Sequence, residues 1–137
     1  MTTFLLDSNA WIGWVRQNQP KLVARIKQEN PANILLCSVV LGELIYGAER
    51  SGAPHRTVNL LRVEQLRHQY ASIPFDDRAA EEYGRIRAHL AGLGTPIGPN
   101  DFMIAAIALA HGLSLVTHNT AEFSRVPGLK LDDWQIP

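Results

Sequence analysis

Short apolar runs alternate along this chain with longer stretches of helical period, and that alternation predicts its elements. Phe4-Leu5-Leu6, Ile34 to Cys37, Ala71 to Phe75, Leu113 to Thr117 and Leu129-Lys130-Leu131 have the length and composition of strands. Between them, apolar residues recur at helical spacing. Trp11, Ile12, Trp14 and Val15 follow Ser8, which stands where an N-cap would, and Pro20 opens a helix carrying Leu22, Val23 and Ile26. Ser38 is the expected cap of a helix with Val39, Val40, Leu41, Leu44 and Ile45. From His55 to His68 the apolar positions are Val58, Leu61 and Leu66. Asp76 or Asp77 caps a long helix through Leu93, and Asn100 caps one from Asp101 to His111 that is apolar nearly all round. Strands separated by helices of this length predict a parallel sheet covered on both faces. The expected fold is a three-layer α/β/α sandwich with four or five parallel strands, one domain over residues 1–137.

Composition narrows the function classes. With 137 residues, 46% hydrophobic and 19% charged, the chain can bury a full core, which excludes intrinsic disorder. Thirteen Lys+Arg balance thirteen Asp+Glu, so no global basic charge draws it to nucleic acid. The balance sums two biases: residues 1–70 hold 8 Lys+Arg and 5 Asp+Glu, residues 71–137 hold 5 and 8. Arg16, Lys21, Arg25, Arg50 and Arg56 are left as local candidates for guiding a phosphate backbone. The single cysteine, Cys37, allows neither a disulfide framework nor a cysteine zinc site. Residues Met1 to Asp7 lack the pattern of a signal or anchor, and Phe102 to Ala110 is far short of the roughly 20 residues of a membrane span. A cytoplasmic protein without membrane contact is expected.

Ligands of such sheets lie beyond the carboxyl ends of the strands. Asp7 follows the first strand, Glu43 interrupts an apolar helix after the second, and Asp101 begins the apolar helix after Gly98-Pro99-Asn100. Asn119 reaches the same edge from the fourth strand. Singly, Asp7 reads equally as a helix cap and Asp101 as a charge at a helix start. Together they say more, because carboxylates about 5 Å apart repel by roughly 3 kcal/mol per pair at an effective dielectric of about 20. Such a group takes up protons or recruits a cation, and hard oxygen donors suit Mg²⁺ or Mn²⁺. A divalent ion there would activate water against a phosphodiester.

These residues, in this order, resemble the PIN domain, and within it the VapC-type toxins of toxin–antitoxin pairs. Leu5-Leu6-Asp7-Ser8-Asn9 is similar to the opening motif, with Ser8 for the usual Thr. Gly42 to Glu49 and Ile97 to Asp101 with Ile104-Ala105-Ala106 are similar to the segments bearing the second and third acids. Leu115-Val116-Thr117-His118-Asn119 and Phe123, Val126-Pro127-Gly128-Leu129 and Trp134 resemble the C-terminal signature. The resemblance implies an endoribonuclease using Mg²⁺, or Mn²⁺ in its place, that leaves 5′-phosphate and 3′-hydroxyl ends on tRNA or rRNA. Asp7, Glu43 and Asp101 would bind the metal, while Ser8 and Asn9 would orient the Asp7 carboxylate or the substrate. Asn119 stands where many members have Asp, so it is a substrate or supporting group, with Glu122 as a lower-ranked acidic substitute and His118 a further substrate candidate.

The resemblance also implies a homodimer silenced by a VapB-type antitoxin that supplies the contacts to operator DNA. Trp11, Trp14 and Tyr46, with Ile12 and Val15, are candidates for the antitoxin groove, against plain core packing. The rival reading is a catalytically silent PIN-like module that binds RNA or protein. A phosphoryl-acceptor α/β domain fits less well, since a dehalogenase-like phosphatase wants a second Asp at the position of Asn9.

Overall fold

A computed structural model describes residues 2–136; Met1 and Pro137, the ends of the expected 1–137 domain, lie outside the described residues. The chain runs β1 (Phe4–Leu6), α1 (Ser8–Arg16), α2 (Pro20–Gln28), a 3-10 turn (Pro31–Asn33), β2 (Ile34–Cys37), α3 (Ser38–Arg50), α4 (His55–Gln69) and β3 (Ala71–Ile73). It continues through α5 (Asp77–Gly92), α6 (Pro99–His111), β4 (Ser114–Val116), α7 (Thr120–Phe123) and β5 (Lys130–Asp132). The strands form one parallel sheet in the order β3-β2-β1-β4-β5. Connections from β1 through β3 travel one way along the sheet and those from β3 through β5 travel back. Right-handed crossovers therefore put α1–α4 on one face and α5 and α6 on the other. That is the expected three-layer sandwich, with five strands.

Every residue of β1 is buried, because β1 is central and covered on both sides. The apolar girth of α6 has the same cause: Phe102, Ala110 and every residue from Ile104 to Ala108 are buried. This helix ends at Gly112, whose φ of 64° lets the chain turn out of α6 into β4. At the far end of the chain, Trp134 packs edge-on against Phe4 with ring centroids 4.9 Å apart. The Arg25 guanidinium lies 4.7 Å from the Trp134 ring, fastening α2 over the same pair.

Several local expectations are corrected. The cap of α1 is Asp7, whose Oδ1 accepts the Ala10 N–H at 2.9 Å, and Ser8 is already helical. Ser38 likewise lies inside α3, where its Oγ accepts the Phe75 N–H, and Cys37 precedes it. Asn100 lies in the first turn of α6 because Pro99, with φ preset and no N–H to place, starts that helix after Gly98. On α4 the buried face is Val63 and Leu66, while Val58 and Leu61 point outward at 50% and 59% exposure. Apolar spacing alone does not separate a face turned to the core from one turned to solvent.

Trp11 is a correction that bears on function. Its ring is wholly buried against Tyr70, at a centroid distance of 4.8 Å, so it lines no groove. The indole N–H finds no hydrogen-bond partner among the described residues, so the ring contributes through its bulk. Among the described residues no helix is long and apolar enough to cross a membrane. Trp11→Ala is expected to lower unfolding stability by about 3–5 kcal/mol in urea titrations, the cost of emptying an aromatic core site. A loss below about 1 kcal/mol would place the ring at the surface instead.

Candidate active site

The strand order reverses at β1: the chain leaves it toward β2 on one side and returns to β4 on the other. Such a reversal opens a crevice at the carboxyl ends of the two strands. Asp7 sits there, one residue past β1 and 6% exposed. Its Oδ2 accepts from the Thr117 hydroxyl at 2.6 Å, just past β4, while its Oδ1 caps α1. Thr117 Oγ1 accepts in turn from the Asn119 N–H at 3.0 Å. Desolvation raises the Asp7 pKa above the usual carboxylate value; the Thr117 and Ala10 hydrogen bonds oppose it, and the charges of Glu43 and Asp133 add to it.

Glu43 projects from α3 and is fixed by Ser8, whose hydroxyl donates to Oε1 at 2.7 Å. Ser8 thus orients the second acid rather than Asp7, because its position in the first turn of α1 faces α3. Asp101 enters from the first turn of α6, and burial, then Glu122, then the charges of Asp7 and Glu43 push its pKa up to about 7. Glu122, the lower-ranked acidic substitute, reaches the same crevice from α7. Its Oε1 accepts the Gly98 N–H at 2.9 Å, Oε2 accepts from the Asn119 amide, and it shares a hydrogen bond with Asp101. Burial pushes the Glu122 pKa up, but Gly98, Asp101, Asn119 and Arg125 outweigh it and hold the carboxyl below its usual value. Within the pair, the surroundings thus favour protonation of Asp101 and ionisation of Glu122. Thr117 went unnoticed in the sequence because only the pairing of β1 with β4 reveals its role.

The acids act on one another: Asp7 feels the charges of Glu43 and Asp133, and Asp101 those of Glu122, Asp7 and Glu43. Among the described residues, no three His, Cys, Asp or Glu are gathered closely enough to enclose an ion. The donor set still suits a hard divalent cation: it is all carboxylate oxygen, with no basic side chain among the charges acting on Asp7 or Asp101. Gly98 leaves room for it, since a Cβ there would stand 3.3 Å from Asp101 Oδ2.

Three clefts surround this crevice. One of about 430 Å³ is lined by Asp7, Asn9, Arg16, His118, Asn119 and Gln135, among others. A second, of about 560 Å³, lies between α3 and the start of α6 and includes Ser8, Asn9, Glu43, Tyr46 and Asn100. The third is apolar and runs between α1, α3 and α4 along Ile12, Val15, Leu44, Val63 and Leu66. Trp14 is half-buried and lines a separate shallow site with Gln65 and Gln69. Of the cations named from sequence, Arg25 pairs with Glu29 and Arg56 with Glu49, and Arg50 lies against Tyr46. Lys21 is exposed and lines none of these clefts, which leaves Arg16 beside the acids.

A family model described as the PIN domain matches residues 4–129. The chain is 42% identical over 134 residues to the tRNA(fMet)-specific endonuclease VapC of Salmonella typhimurium, covering 98% of this chain and 99% of that one. It is 34% identical to the ribonuclease VapC2 of Haemophilus influenzae with the same coverage. The crystal structure of DNA-bound VapBC from Salmonella typhimurium contains a chain that superposes with a TM-score of 0.90 at 40% identity, over 98% of this chain and 99% of its own.

The raised Asp101 pKa has a consequence for stability. The folded chain keeps a proton that the unfolded chain, near 3.8, releases, so this group's contribution turns unfavourable as pH rises from about 4 through about 7. That cost exceeds what an acid gains in a first helical turn, or the pKa would fall rather than rise. Asp101→Asn is accordingly expected to raise the melting temperature at pH 8 in EDTA, while added Mg²⁺ raises that of the wild type more than that of the variant. A variant melting below the wild type in EDTA would contradict this electrostatic assignment.

Proposed function

The chain belongs to the PIN-domain family, and from that premise we propose that it is a VapC-type endoribonuclease toxin that hydrolyses RNA phosphodiester bonds with Mg²⁺, or with Mn²⁺ in its place. The observation that carries this reading is the crevice at the β1–β4 reversal, where Asp7, Glu43 and Asp101 come together with Glu122 beside Asp101, and where neighbouring carboxylates raise the pKa of both Asp7 and Asp101. Asp7, Glu43 and Asp101 would hold the ion, with Glu122 beside them. When bound, the ion supplies an activated water and offsets charge developing on the phosphoryl oxygens.

The chain's own groups prepare that chemistry. Thr117 and the Ala10 N–H fix both oxygens of Asp7, and Ser8 fixes Glu43, so neither carboxylate has to be ordered when substrate arrives. Glu122, itself anchored by the Gly98 N–H and the Asn119 amide, hydrogen-bonds Asp101, which would release its proton when the ion binds. Asn9, exposed at the mouth and lining the clefts on both sides, is placed to touch the substrate rather than to orient Asp7. Arg16 supplies the nearby positive charge.

Partners follow from the same family premise. The protein acts in the cytoplasm as a homodimer, and a VapB-type antitoxin silences it and carries the operator-DNA contacts. The apolar cleft between α1, α3 and α4 is the surface for the antitoxin segment, with Ile12 and Val15 in the role expected of Trp11. Initiator tRNA is the first substrate to try, because that is what the name of the Salmonella relative specifies.

Purified chain free of antitoxin is expected to cut initiator tRNA with Mg²⁺ or Mn²⁺ and not with EDTA. Asp7→Asn should lose cutting while keeping the fold, since Asn also caps a helix well. Ser8→Ala should slow cutting about 10–100-fold through the loosened Glu43. Full activity in Asp7→Asn would refute the assignment, and retention of tRNA without cleavage would identify a silent binding module.

A further inference from the structure

Tyr46 is the largest exposed aromatic side chain near the acids, at 63% exposure. Its position on α3 determines which cleft it serves. Residues Leu44, Gly47 and Ala48 face the apolar cleft against α1 and α4, and Tyr46 is absent from that lining. It faces instead the opening between α3 and the start of α6, together with Ser8, Asn9, Ser38, Asn100 and Met103. Glu43, one turn earlier on α3, borders both clefts. An aromatic ring, a thioether and four short side chains with donors and acceptors thus surround about 560 Å³ beside a metal-binding acid.

The ring also has a cation beside it. Arg50, one turn further along α3, sets its guanidinium 5.7 Å from the ring centroid and donates from Nη1 to the Tyr46 hydroxyl at 3.4 Å. Among the described residues Arg50 pairs with no carboxylate, so its positive charge stays beside the ring. An exposed ring with one guanidinium next to it is a combination that suits an unpaired base and its phosphate, because every base has a π-face and every linkage a negative charge. Short amides and hydroxyls then read the base edge.

We propose that Tyr46 is a stacking platform for an unpaired nucleobase adjacent to the scissile phosphate, with Ser8, Asn9, Ser38 and Asn100 around the base edge and Arg50 beside its phosphate. The proposal rests on the ribonuclease reading and adds a positioning group to it: a base flanking the cut is turned into the α3–α6 cleft and stacks on Tyr46. Placing Tyr46 here also takes it out of the antitoxin groove.

The test uses full-length initiator tRNA in EDTA, where binding is measured without cutting, and then with Mg²⁺. Tyr46→Ala is expected to weaken binding roughly 5- to 150-fold, the range that stacking of one base on an aromatic ring supplies. Tyr46→Phe keeps the ring and should restore binding. With 2-aminopurine at each nucleotide flanking the mapped cut, wild type and Tyr46→Phe should change the fluorescence at one flanking position and Tyr46→Ala should not. Wild-type binding by Tyr46→Ala overturns the stacking site while leaving the nuclease intact. Loss of antitoxin affinity in Tyr46→Ala with unchanged tRNA binding overturns it too, and returns the ring to the antitoxin surface. A wild type that neither binds nor cuts any RNA overturns this proposal together with the reading beneath it.

Discussion

A carboxylate buried at the carboxyl end of the central strand is the constraint around which this fold is arranged. Burying a charge is costly unless its oxygens are satisfied, and Asp7 satisfies them through two elements far apart in sequence. Thr117 is 110 positions away and arrives only because Leu6 pairs with Val116 in a parallel ladder that continues through the Asp7 N–H. Sliding that ladder by one residue would send Thr117 to the opposite face of the sheet and leave the acid unpaired. The register of β1 with β4 and the start of α1 are therefore fixed by one side chain. The crevice follows from the same register, since this is where the chain reverses direction along the sheet.

The acidity of the crevice opposes folding, and the rest of the chain offsets it. Asp101 carries a proton well above the usual carboxylate range because burial and three neighbouring acids disfavour its charge. Apolar packing on both faces supplies the compensation: β1 and β4 are covered on both sides, and α6 buries nearly its whole circumference while presenting Asp101 at its first turn. An apolar helix that begins with an acid is thus one device rather than two features. Its buried length anchors the end that electrostatics would otherwise push away.

This division explains what the sequence disclosed. The sandwich was legible because strand runs and helical periods alternate, and α6 because no solvated helix is apolar all round. Asp7, Glu43 and Asp101 were legible because each is an acid where apolar context or a strand end makes one conspicuous. Thr117 and Glu122 were not, since a hydroxyl after a strand and an acid in a short helix are commonplace until the sheet order sets them beside Asp7 and Asp101. Trp11 misled for a related reason: four apolar residues on one helix cannot all be buried by a single neighbour, but periodicity does not say which face meets Tyr70. The outward turn of Val58 and Leu61 on α4 carries the same lesson. What depends on one element is readable from the chain, and what depends on two elements meeting is not.

The neutral composition acquires a physical meaning from this geometry. A chain that bound RNA by bulk charge would hold any phosphate backbone and would lose that hold steeply with salt. Here Arg25 and Arg56 are tied to carboxylates, and the acids would repel a backbone that reached them without a cation. Arg16 lines the cleft beside Asp7 with amides and His118, and Arg50 lies against the Tyr46 ring that borders the other cleft. Asn9 and Ile12 line both clefts, so α1 forms the ridge between them, directly above the buried acid. A strand crossing that ridge passes Arg16 on one side, the Tyr46 ring on the other and the acids between, and it needs an unpaired, flexible stretch to bend across. Selectivity then comes from RNA shape at the cut, which a chain of zero net charge can read without adhering to every RNA it meets.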